Sequence, residues 1–216
     1  MSFNIDKGIT AIIGSGGKTT LLKYLGDYYR EYRTIVSTTT KLGIRQIDNY
    51  DYIQKGEIKD VKKGLNFAYK EVDGKVIGYH GDYFNEIDCD YIFLECDGAK
   101  RKLLKGWANH EPVIPEKTNR TISVINIECI GMQLNEEFIH RLEIFKEITG
   151  AKETELITFD HILNISKEMA RLSIGTKTLY INRCTNYKPR LKEFAKYFNE
   201  VYYGDTLTKV IKKIEV

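Results

Sequence analysis

Short apolar runs alternate with stretches of helical period along this chain. Residues 9–13 (ITAII) are an apolar run of strand length. Over residues 18–32, Leu21, Leu22, Leu25, Tyr28 and Tyr29 recur near a 3.6-residue spacing, the stripe of an amphipathic helix. Residues 34–38 read as a second strand. In 67–80 the pair Asp73-Gly74 stands between β-rich arms, a hairpin signal. The run 90–95 (DYIFLE) is apolar almost throughout, as a strand covered on both faces must be, and 121–127 is another strand. Beyond Asn135, EEFIHRLEIFKEI predicts a helix with an N-cap and an acidic first turn, ending at Gly150. Residues 161–172 and 189–198 predict helices, 178–181 and 200–203 strands, and 207–214 a last helix.

This order predicts a three-layer α/β fold with a mostly parallel sheet. No repeat, low-complexity tract or linker interrupts it, so one domain is expected over residues 1–216, with a β-hairpin insertion at about 66–81.

Composition acts mainly by exclusion. A chain of 216 residues can bury a full core. With 29% charged residues but a net charge of only +3, it lacks the basic footprint of a nucleic-acid binder. No run approaches the ~20 apolar residues of a membrane span. The opening MSFNIDK has no signal-peptide segment. Cys89, Cys96, Cys129 and Cys184 form no C-x-x-C pair. The expectation is a cytoplasmic protein with reduced thiols, bound neither to nucleic acid nor to membrane. The 15 tyrosines read as composition bias.

The chemistry concentrates in IIGSGGKTTLL, residues 12–22, where a strand runs into a glycine turn and then a helix. Such a turn can aim backbone N–H groups of Gly14, Ser15, Gly16 and Gly17 at phosphate oxygens, helped by the positive end of the helix dipole. Lys18 would reach the β- and γ-phosphates, Thr19 would ligate magnesium, and Thr20 completes the nucleotide-binding turn. The plain alternative is a glycine turn whose lysine only caps a helix. The full phosphate-loop spacing asks for glycine at position 12, where Ile12 stands, so this is a shorter form, related to loops of cell-wall peptide ligases and metal-insertion NTPases. The fold expected is thus P-loop NTPase-like, with Mg2+ and ATP or GTP as cofactors.

The strand ending at Glu95 runs into ECDGAK, where such an enzyme places its second magnesium contact. Asp97 suits that ligand role, Gly98 lets backbone approach the γ-phosphate, and Glu95 could orient an attacking water. Both acids could instead cap the strand. The hydroxyl run VSTTTK, including Thr39, could contact phosphate or position water, though threonine also simply favours strands. Four cations follow in Lys100-Arg101-Lys102 and Lys105, suited to a nucleotide phosphate or an anionic substrate, or forming only a solvated loop. His110, between this run and two prolines, could carry a proton, ligate a metal or make a structural hydrogen bond.

GSGGKTT, STTTK, ECDGAKRK and HEPVIP, in this order, resemble the YqeC family, and the resemblance continues through Gly131, His140-Arg141 and Thr149-Gly150-Ala151. It implies a nucleotide-binding accessory protein for selenium-dependent molybdenum hydroxylases, acting in maturation of their cofactor, with a hydroxylase client or cofactor intermediate as partner. Magnesium-dependent NTP hydrolysis leads among the activities. A kinase or nucleotidyl transferase acting on a pterin-like anion, and a non-hydrolysing nucleotide-gated binding module, are the alternatives. Related sequences carry an N-K-x-D-like element after a late strand. Here residues 181–186 read INRCTN, without lysine or aspartate, which tilts the expectation toward ATP.

Overall fold

The computed structural model describes residues 3–40, 49–72 and 75–215. In chain order the elements are β1 (Gly8–Gly14), α1 (Lys18–Tyr28), β2 (Arg33–Thr38), β3 (Tyr52–Lys55), β4 (Gly64–Val72), β5 (Lys75–Ile77), β6 (Tyr91–Glu95), β7 (Leu104–Lys105) and β8 (Thr118–Asn126). Then follow β9 (Ile139–His140), α2 (Leu142–Thr149), α3 (Phe159–Leu172), β10 (Thr176–Asn182), β11 (Glu200–Asp205) and β12 (Val210–Lys213). Two 3-10 helices cover Gly81–Glu86 and Pro189–Lys196.

One ten-stranded sheet runs in the order β12-β11-β10-β8-β1-β6-β2-β4-β3, with β5 beside β4. All of its pairings are parallel except β11–β12 and β4–β5. β1 lies at the centre, its Ile12 level with Glu95 on β6 and with Ile122 on β8. Successive strand residues face opposite sides, and both sides are covered. Ile12, Val36, Phe93 and Val124 pack with Leu21, Leu22 and Leu25 of α1. Ala11, Ile13, Ile35 and Leu94 pack with Phe145 of α2 and Ile162, Ile165 and Met169 of α3. Each fully buried aliphatic or aromatic side chain contributes roughly 1.5–3 kcal/mol. The result is a mixed α/β molecule with helices on both faces of a large, mostly parallel sheet.

Several elements differ from the sequence-based expectation. The helix predicted beyond Asn135 begins only at Leu142. Ile139 and His140 pair with Leu104 and Lys105 as a separate two-stranded parallel sheet, and Arg141 takes a left-handed conformation, φ 56°, that interrupts a helix. The segment predicted as a helix over 207–214 is a turn followed by the antiparallel edge strand β12, Val210–Lys213. Ile211 is buried while Val210, Lys212 and Lys213 are exposed, and the pairing with β11 settles the conformation. The hairpin continues the main sheet, because the first half of β4 pairs parallel to β2. Its turn residues, Asp73 and Gly74, lie outside the described residues, as does Lys41. Thr158 caps α3 through its hydroxyl, and His161 returns the contact from its ring nitrogen to the Thr158 N–H at 3.2 Å, a capping box built with histidine.

Candidate functional site

The carboxyl ends of β1, β6, β8, β10 and β11 open into a cavity of about 840 Å³. In open α/β sheets this edge, beside a central strand, is where ligands bind. One wall is the glycine turn and the start of α1, with Gly16, Gly17, Lys18, Thr19, Thr20 and Lys23. The end of β6 supplies Glu95, and the stretch after it supplies Gly98 and residues 99–103. Asn126, Asn182, Arg183, Thr206 and Leu207 close the far side.

The turn is held by contacts remote in sequence. Gly16 (φ 73°) and Gly17 (φ 144°) sit where any Cβ would lie 2.4 Å from Asn126 Cβ and 2.2 Å from Asn182 Nδ2. Both positions therefore demand glycine for conformation and for space. The Asn182 amide donates to the Gly16 carbonyl at 2.7 Å and accepts from the Tyr180 hydroxyl at 3.1 Å. Not every N–H of the turn faces the cavity. Gly14 N–H donates to Asp97 Oδ2 at 3.0 Å and Ser15 N–H to the Val124 carbonyl at 3.0 Å. The backbone aimed at a ligand thus narrows to Gly16, Gly17 and the first turn of α1.

Beneath this turn lies a chain of alternating charges. Lys18, 4% exposed, sits 3.1 Å from Asp97 Oδ1 and 3.5 Å from Glu95 Oε1, and donates to the Gly14 carbonyl at 2.7 Å. Burial opposes its charge, but Asp97 and Glu95 outweigh that and hold its pKa above the ordinary lysine value. Asp97, fully buried, also accepts from the Trp107 indole at 2.6 Å and lies 3.2 Å from Lys105. Lys105 donates to Glu111 at 2.8 Å and to the Gly98 carbonyl at 2.7 Å, and Glu111 pairs with Arg141. Burial works to raise Glu111, yet Arg141 and Lys105 bring its pKa down to about 2. His140 beside them is pushed down to about 4, by burial first and then by the charges of Arg141, Lys105 and Lys100.

The two acids after β6 therefore stand differently. Glu95 lines the cavity and accepts from the Thr19 hydroxyl at 3.2 Å, whereas Asp97 is closed off from solvent, its Oδ1 in ion contact with Lys18 but without a hydrogen bond. Among the described residues no three His, Cys, Asp or Glu gather as a metal site. A magnesium ion, which usually takes one or two protein carboxylates plus phosphate oxygens and water, fits the Thr19–Glu95 pair. Thr39 is not on the cavity wall. Its hydroxyl donates to the Val113 carbonyl at 2.8 Å, tying strand β2 to the proline-flanked loop. His110 is exposed and likewise off the wall, while Lys100 and Arg101 line it. Lys23, Asn126, Thr206 and Leu207 were not expected from the sequence. Their signal is positional: Asn126 ends β8 beside β1, Thr206 and Leu207 follow β11, and Lys23 follows one turn after Thr19 on α1.

Among the described residues no helix is long and apolar enough to cross a membrane. No solved structure matches the chain. A protein of Escherichia coli (strain K12), carrying the name Uncharacterized protein YqeC, is 26% identical over 155 residues, which is 66% of this chain and 60% of that protein. The match thus spans less than two thirds of that relative's length. The sequence model of the family described as YqeC protein matches residues 10–143, from β1 through the phosphate-type turn, Glu95, Asp97 and the Lys105–Glu111–Arg141 relay into α2. The chain belongs to the YqeC family.

Proposed function

We propose that this protein binds a nucleoside triphosphate with magnesium and hydrolyses it, in support of cofactor maturation for a selenium-dependent molybdenum hydroxylase. The hydroxylase client follows from the family resemblance. The nucleotide site rests on one observation above others: Lys18, Thr19, Glu95 and Gly98 share a single cavity wall with the two conformationally restricted glycines. N–H groups of Gly16, Gly17 and the first turn of α1 receive the phosphates. Lys18, already charged, shifts from its carboxylate partners to the β- and γ-oxygens and offsets the charge that develops as the γ-phosphoryl leaves. Thr19 and Glu95 would hold a magnesium ion, which would supply positive charge against the phosphate oxygens. Asp97 acts from beneath as a positioning group, fixing Gly14 and Lys18. Water attacks the γ-phosphorus as the bond to the β-phosphate oxygen breaks, giving the nucleoside diphosphate and phosphate.

The base lies toward the ends of β10 and β11, where Leu207 is 61% exposed although it lines the cavity and Arg183 stands beside it. An apolar face next to a guanidinium suits a planar ring. The Asn182 amide is engaged with Gly16 and Tyr180, and residues 181–186 lack the lysine and aspartate of an N-K-x-D-like element, which favours ATP.

Calorimetric titration with ATP, GTP and CTP, each with magnesium, tests this. Binding of one nucleotide that is lost in Lys18→Ala and weakened in a stably folded Gly98→Ala supports the site. Absence of binding to all three overturns it.

A further inference from the structure

We infer that the turn at residues 99–102 is a subsite for a second ligand, a tetrahedral oxyanion held beside the terminal phosphate of the bound nucleotide. The inference rests on the nucleotide site proposed above and asks what else that cavity holds.

Charge comes first. Of the cations on the cavity wall, Lys18 is balanced by Glu95 and Asp97, and Arg183 by Asp205 at 3.1 Å. Lys23 and Lys100 remain, with Lys102 held to the Glu136 carbonyl, on a wall whose one acid among the described residues is Glu95, and Arg101 shares their turn. A magnesium–triphosphate complex brings only about two net negative charges. Lining cations in this excess suit a further anion.

Backbone geometry gives an independent reason. Lys100 (φ 46°) and Arg101 (φ 61°) are successive non-glycine residues in the left-handed region, a costly arrangement that surrounding structure must impose. It is imposed from several sides. Lys102 N–H donates to the Ala99 carbonyl at 2.9 Å, Lys105 to the Gly98 carbonyl at 2.7 Å, and the Ser15 hydroxyl to the Leu103 carbonyl at 3.0 Å. The last contact fixes the basic turn against the phosphate loop itself. Space is the third reason. The turn follows β6, while the proposed base end follows β10 and β11, on the other side of β1 in the sheet. One nucleotide spanning the loop and the base end leaves this corner for another molecule.

The ligand is a phosphate, free or as the terminal group of a small molecule. The test loads the full chain with magnesium and a non-hydrolysable ATP analogue, which fills the γ-position. Inorganic phosphate and glycerol 3-phosphate are then titrated separately, followed by phosphorus NMR. Saturable binding of either to the loaded protein, weakened at least tenfold in Lys100→Gln/Lys102→Gln while analogue affinity changes less than threefold, supports the subsite. Tighter binding of the monoester identifies a small-molecule source, and tighter binding of inorganic phosphate a free ion. Analogue binding without binding of either probe overturns the subsite alone. So does loss of analogue affinity in the double variant without probe binding by the parent, which would assign the turn to the triphosphate. Failure of the analogue to bind at all removes the nucleotide site and the subsite together.

Discussion

Replacing Gly98 with alanine separates what the fold needs from what a ligand needs. The residue lines the cavity, its φ lies outside the left-handed region, and an added methyl would find one described atom within 4 Å, Glu111 Oε1 at 3.8 Å. That is ordinary van der Waals contact. The folded protein therefore loses nothing, and restricting the unfolded chain should stabilise it by about 0.4–1 kcal/mol. A phosphate lying against the Gly98 backbone, by contrast, meets the methyl directly. Overpacking of that kind costs roughly 1–3 kcal/mol, so triphosphate affinity should fall about fivefold or more. Gly16→Ala supplies the contrast. There the methyl would lie 2.4 Å from Asn126 Cβ at φ 73°, so stability falls before any ligand is added. Urea unfolding and calorimetric titration on the same preparations read both quantities. Gly98→Ala protein that melts like the parent and binds triphosphate equally well would refute the placement of phosphate at this wall. A large loss of stability would refute the claim that the space is free.

Lys18→Ala should lose both binding and stability, the latter on the order of 3 kcal/mol, because Glu95 and Asp97 lose the cation packed between them; unfolding midpoints of the apo proteins would expose a purely ligand-facing lysine. Trp107→Phe removes the 2.6 Å hydrogen bond to Asp97 and should cost about 1.5–3 kcal/mol in denaturant melts, a change under about 0.5 kcal/mol counting against the buried relay. For pH, His140 in the folded protein binds its proton near 4 rather than 6.5, so the unfolded chain is protonated first and stability falls as pH drops from 6.5 toward 4. Glu111 adds stability that is complete above 4.5 and lost toward 2. His140→Gln should flatten the upper part of this acid slope while leaving the part below 4.5, as read by melting temperature across pH.

The glycine turn and the strand and helix around it were legible because a phosphate-type loop is built from consecutive residues. Glu95 and Asp97 were legible as a pair but not in their division of labour. Which acid faces the cavity depends on Trp107 and Lys105 closing over Asp97, contacts formed by a segment with no regular pattern. Residues 139–141 look helical by spacing alone, and only pairing with residues 104 and 105 draws two of them into a strand. The tyrosines, read at first as composition, include a working set. Tyr29 packs on Tyr91 with ring centres 4.3 Å apart and ties down Phe3 and Ile5 through its hydroxyl, and burial raises its pKa to about 12. No local periodicity announces such a role.

The position of β1 also sets an order of events in time. Of the described strands it is made first, yet its two neighbours are β6 and β8, with Gly8 level with Tyr91 and Ile9 with Thr118. Parallel partners so distant in sequence close slowly, because the loop entropy is spent before the pairing is gained. The glycine turn waits longer still, since the Gly16 carbonyl is held by Asn182. During synthesis on the ribosome, ITAII and the apolar face of α1 emerge long before the strands that cover them. Until residue 182 is available the phosphate loop lacks the last of its supports, and before β6 and β8 are made the nascent chain carries an uncovered strand that is prone to association.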